Sequence, residues 1–253
     1  MLEPRVSVVI PAYNEGADIN PVLDKLLGCV AGPCEVLVVV DFAEDTTIEA
    51  VDSRPRPQVR TVINTSGRGP AYAIRYGMLH AEAPVVVVTM ADGCDDPRQI
   101  DELTALVERG AAVAAASRYM PGGQQLGGPL VKRMLSRIAG KTLYWFAGVG
   151  THDATNSFKA YSREFVERVG IESRDGFEIG LELTAKARRL RLPIAEVPTV
   201  WLDRQAGVSH FKVMKWLPKY LHWYLFAFGR RLEPAEFNGA HPPVRSGVNG
   251  VNS

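Results

Sequence analysis

Cysteine is scarce in this chain: Cys29, Cys34 and Cys94 are the only three in 253 residues. They are too few and too irregularly spaced for a zinc ligand set or a disulfide framework, and a reduced, cytoplasmic setting is expected. An excess of one charge is also missing. The 29 Lys and Arg stand against 28 Asp and Glu, a formal net charge of +1, which argues against a nucleic-acid-binding surface over the whole molecule and leaves local basic patches open. No apolar run is long enough to cross a bilayer, because charge, glycine or proline interrupts each one within the ~20 residues required. Met1-Leu2-Glu3-Pro4-Arg5 does not read as a signal peptide, so any membrane contact is expected from the surface, on the cytoplasmic face. The dinucleotide pattern Gly-x-Gly-x-x-Gly is absent after the first strand-like run, which disfavours a dehydrogenase. What remains is 46% apolar and 23% charged, an ordinary globular composition for one large domain with appendages.

The most informative stretch is Val6-Ser7-Val8-Val9-Ile10-Pro11-Ala12-Tyr13-Asn14-Glu15. A β-branched run reads as a strand buried on both faces, central in a parallel sheet. Pro11 cannot donate to a ladder and ends it. Ala12, Tyr13, Asn14 and Glu15 then lie at the carboxyl end of a central strand, where open α/β sheets place their ligands. Tyr13 is suited to stack on a flat ring, and Glu15 to accept from hydroxyls or a base edge. The plainer alternative is a strand-to-helix turn capped by Asn14.

Strand-like and helix-like segments alternate along the chain. Strands are expected at Val6–Ile10, Glu35–Val40, Arg60–Ile63, Pro84–Met90 and Ala111–Ala116, with helices at Ile19–Leu27, Thr46–Asp52, Gly69–Ala81 and Pro97–Glu108. This rhythm predicts a mostly parallel, doubly wound α/β sheet flanked by helices. Beyond Tyr119, a flexible loop over Pro121–Pro129 leads to a basic amphipathic helix at Leu130–Phe146. A polar turn at Thr151–Ser157 and a strand at Phe158–Tyr161 follow. A helix at Phe177–Leu190 and an edge strand at Ile194–Trp201 complete the series. The last twenty residues, rich in Pro, Gly, Asn and Ser, predict a disordered tail.

Carboxylates gather at two strand ends: Asp41 and Asp45 after the second strand, Asp92, Asp95 and Asp96 after the fourth. Such groups repel one another unless a cation joins them. Mg²⁺ or Mn²⁺, shared with substrate phosphates, resolves that repulsion. Helix capping is the alternative, most directly for Asp95 or Asp96 before Pro97. Asn64-Thr65-Ser66-Gly67-Arg68-Gly69-Pro70-Ala71 is a glycine-rich loop opening a helix, able to offer backbone N–H groups and Arg68 to a phosphate; a plain tight turn explains it equally well.

Taken together, VSVVIPAYNE, VLVVVD, NTSGRGPAYAIRYG, VVVVTMADGCDDP and ASRYMPGG resemble a family 2 glycosyltransferase of GT-A fold. DATNSFKAY, GFEIGLELTAKA and IAEVPTVWLDRQAGVSHFK resemble its dolichol-phosphate mannose synthase branch. The resemblance implies that Pro11, Tyr13, Glu15 and Asp41 line a base and ribose pocket. Asp92 matches the second carboxylate of the family's Asp-x-Asp metal motif. Arg118 and Arg204 match basic residues near donor phosphate and acceptor, where charge on the leaving diphosphate needs stabilising. The expected donor-binding set is therefore Pro11, Ala12, Tyr13, Glu15, Asp41, Arg68, Asp92 and Gly93, with Asp92 and Asp95 as metal ligands. Three departures stand out. Met90 occupies the place of the first Asp, so Asp95 is expected to supply a ligand. Val40-Asp41 replaces a paired Asp. His210 replaces the usual lysine, leaving diphosphate contact to His210, Lys212 or Arg204.

Glu178 and Glu182 fall four residues apart on one helix face. Glu182 is the candidate general base for a hydroxyl acceptor, with an ion pair to Lys186 as its alternative; an already ionised phosphate acceptor needs no strong base. Finally, Lys212, Lys215, Lys219 and His222 form one helical stripe beside Val213, Trp216, Leu217, Tyr220, Tyr224 and Phe228, with Pro218 expected to divide two helices. With Arg133, Arg137 and Lys141 on the earlier helix, this suits a bilayer surface. The alternative keeps the aromatics packed on the sheet.

The sequence thus points to a catalytic domain over residues 1–210, interface helices over 211–232 and a tail over 233–253. The expected activity is inverting transfer of a sugar from a GDP- or UDP-linked donor to a polyprenyl phosphate or other lipid-linked acceptor. Two other readings stand beside it: the same fold with a soluble small-molecule or protein acceptor, and a non-catalytic nucleotide-sugar-binding protein.

Overall fold

In the computed structural model, residues 3–202 and 213–233 are described, with side chains in the last stretch from 217 onward. The elements are β1 (Val6–Pro11), α1 (Ile19–Cys29), β2 (Cys34–Val40), α2 (Thr46–Asp52), β3 (Val59–Ile63), α3 (Pro70–Leu79), β4 (Val85–Val88), α4 (Ile100–Glu108) and β5 (Val113–Ser117). They continue with β6 (Gln124–Leu126), α5 (Leu130–Thr142), β7 (Lys159–Ser162), α6 (Arg163–Val169), α7 (Ile179–Arg189), β8 (Ile194–Pro198), β9 (Val200–Leu202) and α8 (Val213–Ala227). A seven-stranded sheet runs β3-β2-β1-β4-β7-β5-β8. All neighbours are parallel except β7, which lies antiparallel between β4 and β5.

The apolar run of β1 alternates between two cores. Val8 and Ile10 pack with Leu23, Leu26, Ile100 and Leu103 on one face of the sheet. Val9 packs with Ile74, Met78 and Leu183 on the other. Both faces are covered, which is why the strand carries no polar alternation. At Gly77 an added Cβ would stand 2.9 Å from Val39 Cγ2, so glycine is what lets α3 lie this close to the sheet. A third cluster joins Leu143, Ala147 and Leu181 to Trp223 and Ala227 of α8.

Several local expectations change in three dimensions. The loop over 121–129 contains β6, which pairs in parallel with β9. The expected single strand over 194–201 divides at Thr199, where Pro198 ends the ladder of β8 and the chain turns to a second small sheet. Helix α6 follows β7 directly, with Ser162 accepting from Phe165 N as its cap. Pro218 lies inside one continuous helix instead of between two. It costs one backbone bond near the start of α8, while buried Trp223 and Ala227 hold the helix in place. No helix among the described residues is long and apolar enough to cross a membrane. Of the expected tail, only Glu233 lies among the described residues.

Candidate active site

The carboxyl ends of β1, β2 and β4 share one edge of the sheet, and their loops build the site. Ala12 is buried and its N–H still donates to Val39 O at 2.9 Å, prolonging the ladder past Pro11. Asn14 then adopts a left-handed conformation with φ 51°. Asp45 holds that turn. Its two oxygens accept from Asn14 N at 3.1 and 3.0 Å, and Oδ1 also accepts from Thr47 N at 2.9 Å to cap α2. Asp45 is therefore an anchor buried beneath the turn. Asn14 Oδ1 accepts from Thr46 N at 3.3 Å, so it braces α2 and not the helix that follows its own turn. Glu15 N donates to Thr47 Oγ1 at 3.0 Å. The tethered turn leaves Tyr13 66% exposed, with its ring edge-on to Phe42 at 5.7 Å. Arg68 reaches over the same Phe42 ring at 6.0 Å. Tyr13, Phe42 and Arg68 thus form an open aromatic and cationic rim.

The glycine-rich loop is drawn inward. Asp41 Oδ1 accepts from Asn64 Nδ2 at 3.0 Å and Oδ2 from Gly69 N at 2.7 Å. Asn64 Oδ1 takes Ser66 N at 2.9 Å. Two backbone donors expected to face a phosphate are thereby consumed, and Arg68 is the exposed cation of this loop. The glycines are needed for geometry: Gly69 sits at φ 111°, and a Cβ at Gly67 would stand 2.7 Å from the Tyr72 ring.

The acidic turn after β4 separates its carboxylates by task. Asp96 accepts from Arg98 N at 3.2 Å and pairs with the Arg98 guanidinium at 2.6 Å, which holds its pKa below the usual carboxylate range. It caps the short 3₁₀ turn leading into α4. Asp92 is half-buried and accepts from Cys94 N at 3.1 Å across Gly93, itself at φ 68°. Asp95 is buried, and Oδ2 accepts from Thr89 Oγ1 at 2.9 Å and Met90 N at 3.2 Å. Burial first, and then the charge of Asp92, pushes the Asp95 carboxyl up to about 6. Two carboxylates that repel one another, with Asp95 Oδ1 taking no hydrogen bond from the described residues, fit a hard divalent cation. Among the described residues no group of three or more His, Cys, Asp or Glu gathers as a complete ligand set. Water and phosphate oxygens would have to complete the shell.

Arg118 is committed elsewhere. Its Nε and Nη2 donate to Asp153 at 2.6 and 2.9 Å, and its backbone N donates to Asp153 Oδ2 at 3.1 Å. Asp153 is fully buried, and the Arg118 side chain is 10% exposed. Burial opposes its charge, but Asp153 more than compensates and holds the guanidinium pKa above its ordinary value. The expected phosphate-facing cation is thus held in a bidentate pair with a buried carboxylate. The pair is braced by Glu196, which accepts from Thr151 Oγ1 at 3.0 Å and His152 N at 2.8 Å and meets His152 Nδ1 at 2.6 Å. A Cβ at Gly140 would collide with His152 O, so glycine allows α5 to rest on this turn. Lys159, not singled out from sequence, is fully buried with Nζ donating to Ala154 O and Asn156 O. Burial pushes its pKa down to about 7. The only sequence signal for it was a charged residue within an apolar strand.

Glu182 is fully buried. It accepts from Glu172 N at 2.7 Å and Ser173 N at 2.9 Å, and pairs with buried Lys186 at 2.7 Å. Glu178 likewise accepts from Asp175 N at 3.3 Å and Gly176 N at 2.9 Å. These carboxylates tie the 172–176 loop to α7, and Glu182 is not placed where an acceptor hydroxyl could reach it. Arg204, His210 and Lys212 lie outside the described residues.

The glycosyl transferase family 2 pattern matches residues 7–170. The chain is 31% identical over 233 residues to a polyprenol monophosphomannose synthase of Mycolicibacterium smegmatis, covering 84% of this chain and 86% of that protein. It is 30% identical over 213 residues to an undecaprenyl-phosphate mannosyltransferase of Micrococcus luteus, covering 81% and 86%. A crystal structure of glucosyl-3-phosphoglycerate synthase from Mycobacterium tuberculosis, in complex with Mn²⁺, UDP and glucosyl-3-phosphoglycerate, shares the fold with a TM-score of 0.63. Identity to it is 21%, covering 90% of this chain and 81% of that one. A GT-A sheet with acidic and aromatic loops at one edge, matched by the family pattern over most of its length, makes this chain a glycosyltransferase that belongs to glycosyl transferase family 2.

Proposed function

We propose that this enzyme transfers a mannosyl group, with inversion, from a nucleoside diphosphate sugar to a polyprenyl phosphate at a membrane surface. The observation that carries this reading is the exposed apolar face of α5. Leu130, Val131, Met134, Leu135 and Ile138 are 40–69% exposed along one helical stripe, and Trp145 and Phe146 just beyond are 71% and 78% exposed. Arg133, Arg137 and Lys141 share the helix. On α8 the division of labour differs from the expected one. Trp223 and Ala227 pack inward and Lys219 pairs with Asp175, whereas Leu217, Leu221, Leu225 and Phe228 form the exposed stripe. Tyr224 Oη donates to Thr142 Oγ1 at 2.9 Å, joining the two helices. Amphipathic faces of this kind lie in the plane of a bilayer surface, and the relatives named above are named for polyprenol and undecaprenyl phosphate chemistry.

In this reading Tyr13 stacks on the base, with Phe42 behind it and Pro11 and Ala12 forming the floor. Glu15 faces the ribose, while Asp41 holds the loop that presents Arg68. Asp92 and Asp95, with Gly93 allowing the turn between them, would hold Mg²⁺ or Mn²⁺. When bound, that ion supplies positive charge to the diphosphate leaving group. Because Arg118 is held by Asp153, Arg204 is the proposed side-chain cation for that diphosphate. The burial of Glu178 and Glu182 also supports an acceptor that is already ionised and needs no strong base.

Tyr13→Ala is expected to weaken nucleoside diphosphate binding by roughly tenfold, in line with about 1–3 kcal/mol for stacking a base on an aromatic ring; unchanged calorimetric affinity would remove the base pocket from Tyr13. Met134→Glu with Ile138→Glu is expected to abolish sedimentation with vesicles and slow transfer to polyprenyl phosphate, leaving nucleotide affinity intact. Equal transfer to a water-soluble acceptor by the parent and the double variant would favour the soluble-acceptor reading instead.

A further inference from the structure

We infer that Asp175 is a positioning residue that ties helix α8, whose outer face is assigned above to the bilayer, to the loop presenting Arg68 to the donor. Nucleoside diphosphate is then held more tightly by the enzyme on a membrane than in free solution. This inference rests on the membrane and donor-site readings above.

Three groups of Asp175 meet three separate elements. Its N–H donates to Glu178, just before α7, at 3.3 Å. Its carboxylate pairs with the Lys219 ammonium of α8. Its carbonyl oxygen faces the glycine-rich loop, where a Cβ added at Gly69 would stand 3.6 Å away, in ordinary contact. Gly69 directly follows Arg68, and its N–H is held by Asp41 Oδ2 at 2.7 Å. A shift of the Asp175 peptide is therefore felt one residue from the Arg68 side chain.

The loop that carries Asp175 is stiff at its base. Glu182 accepts from Glu172 N and Ser173 N, and Glu178 from Gly176 N. Lys186 donates to Gly170 O at 3.0 Å and pairs with Glu172 at 2.8 Å. Arg174 and Asp175, at the tip, are exposed, and α8 steadies that tip from one side. Lys219 continues the inward stripe formed by buried Trp223 and Ala227, at intervals of four residues. Exposed Leu217, Leu221 and Leu225 lie on the opposite face. Asp175 and the bilayer thus hold α8 from opposite sides.

In water this ion pair is weak, because its side chains are 31% and 49% exposed and must be ordered to meet. A bilayer over the leucine stripe fixes α8 beforehand, so less ordering remains and the pair is formed more of the time. The tip then stays against Gly69, and Arg68 is preorganised for the diphosphate. Linkage makes the effect mutual: nucleotide tightens vesicle binding by the same factor.

The test titrates the full chain with GDP or UDP and Mn²⁺ by calorimetry, without vesicles and with vesicles of equal phosphatidylcholine and phosphatidylglycerol. The parent is expected to bind its preferred nucleotide about threefold more tightly on vesicles, the scale of one exposed ion pair. Amide hydrogen exchange in the 66–69 loop should slow in parallel. Asp175→Asn and Lys219→Gln are each expected to lose both effects, with thermal midpoint and vesicle sedimentation unchanged. Asp175→Lys with Lys219→Asp is expected to regain most of the gain, as a merely structural role for either residue would not. A gain kept in Asp175→Asn overturns the inference. So does a parent that sediments with the vesicles yet binds nucleotide no more tightly there. A gain lost in both single variants and not regained in the exchange overturns the pair. If the parent does not sediment, the membrane reading fails first and takes this inference with it; if neither nucleotide binds under either condition, the donor-site reading does.

Discussion

Asp92→Ala is expected to reduce transfer by about a thousandfold or more while leaving the fold intact, the scale on which removal of transition-state charge stabilisation acts. The fold should survive because Asp92 is half-buried and the bond it accepts from Cys94 N spans only its own turn. The same substitution should leave a signature that a structural defect would not. Asp95 is pushed up to about 6 by burial and by the Asp92 charge. A carboxyl raised in the folded chain contributes stability fully present below its unfolded value of 3.8 and lost as pH rises through about 6. Without Asp92 burial still raises Asp95, but less. Between about pH 4 and 6, the thermal midpoint of metal-free Asp92→Ala should therefore fall less with rising pH than that of the parent. Mn²⁺ should stabilise the parent and not the variant. Full activity in Asp92→Ala would sink the metal assignment.

The largest effect on stability is expected from Asp153→Ala. It would leave the Arg118 guanidinium, 10% exposed, as an uncompensated buried charge, a loss of about 3–5 kcal/mol. Most of that penalty belongs to the orphaned charge, so Arg118→Met combined with Asp153→Leu should recover much of it. The pair also underlies the turn on which Gly140 seats α5. The recovered double variant should consequently fold yet show a raised KM for the lipid acceptor with a smaller change in kcat. Asp153→Ala within about 1 kcal/mol of the parent in urea unfolding would show that the Arg118–Asp153 pair is not a buried bridge in solution.

Much of the site was legible because its signals are local. The apolar run of Val6–Ile10 halted at Pro11, the turn after it, and the carboxylates after Val85–Val88 each depend on a few adjacent residues. Strand direction then brings their carboxyl ends to one edge. The pairing of Arg118 was not legible because its partner lies 35 residues away and no spacing rule links them. Asp45 and Asp41 looked like ligands because a carboxylate at a strand end has the same composition whether it faces solvent or accepts backbone N–H groups. Glu182 and Lys186 were correctly seen as a possible i, i+4 pair, but their burial was not, since an acidic and a basic residue on one helix usually mark a solvated face.

By itself, the sequence determined the alternation of strands and helices, the sheet edge carrying Tyr13, Asp92 and Asp95, and the family. Periodicity, proline and turn chemistry act over a few residues and survive in one dimension. Only the tertiary structure decided that Arg118 is paired with buried Asp153, that Pro218 stays within one helix, that α8 turns leucines outward, and that Asp175 meets both α8 and the glycine-rich loop. Those outcomes depend on which groups leave water together, and burial is set by contacts between segments far apart in the chain.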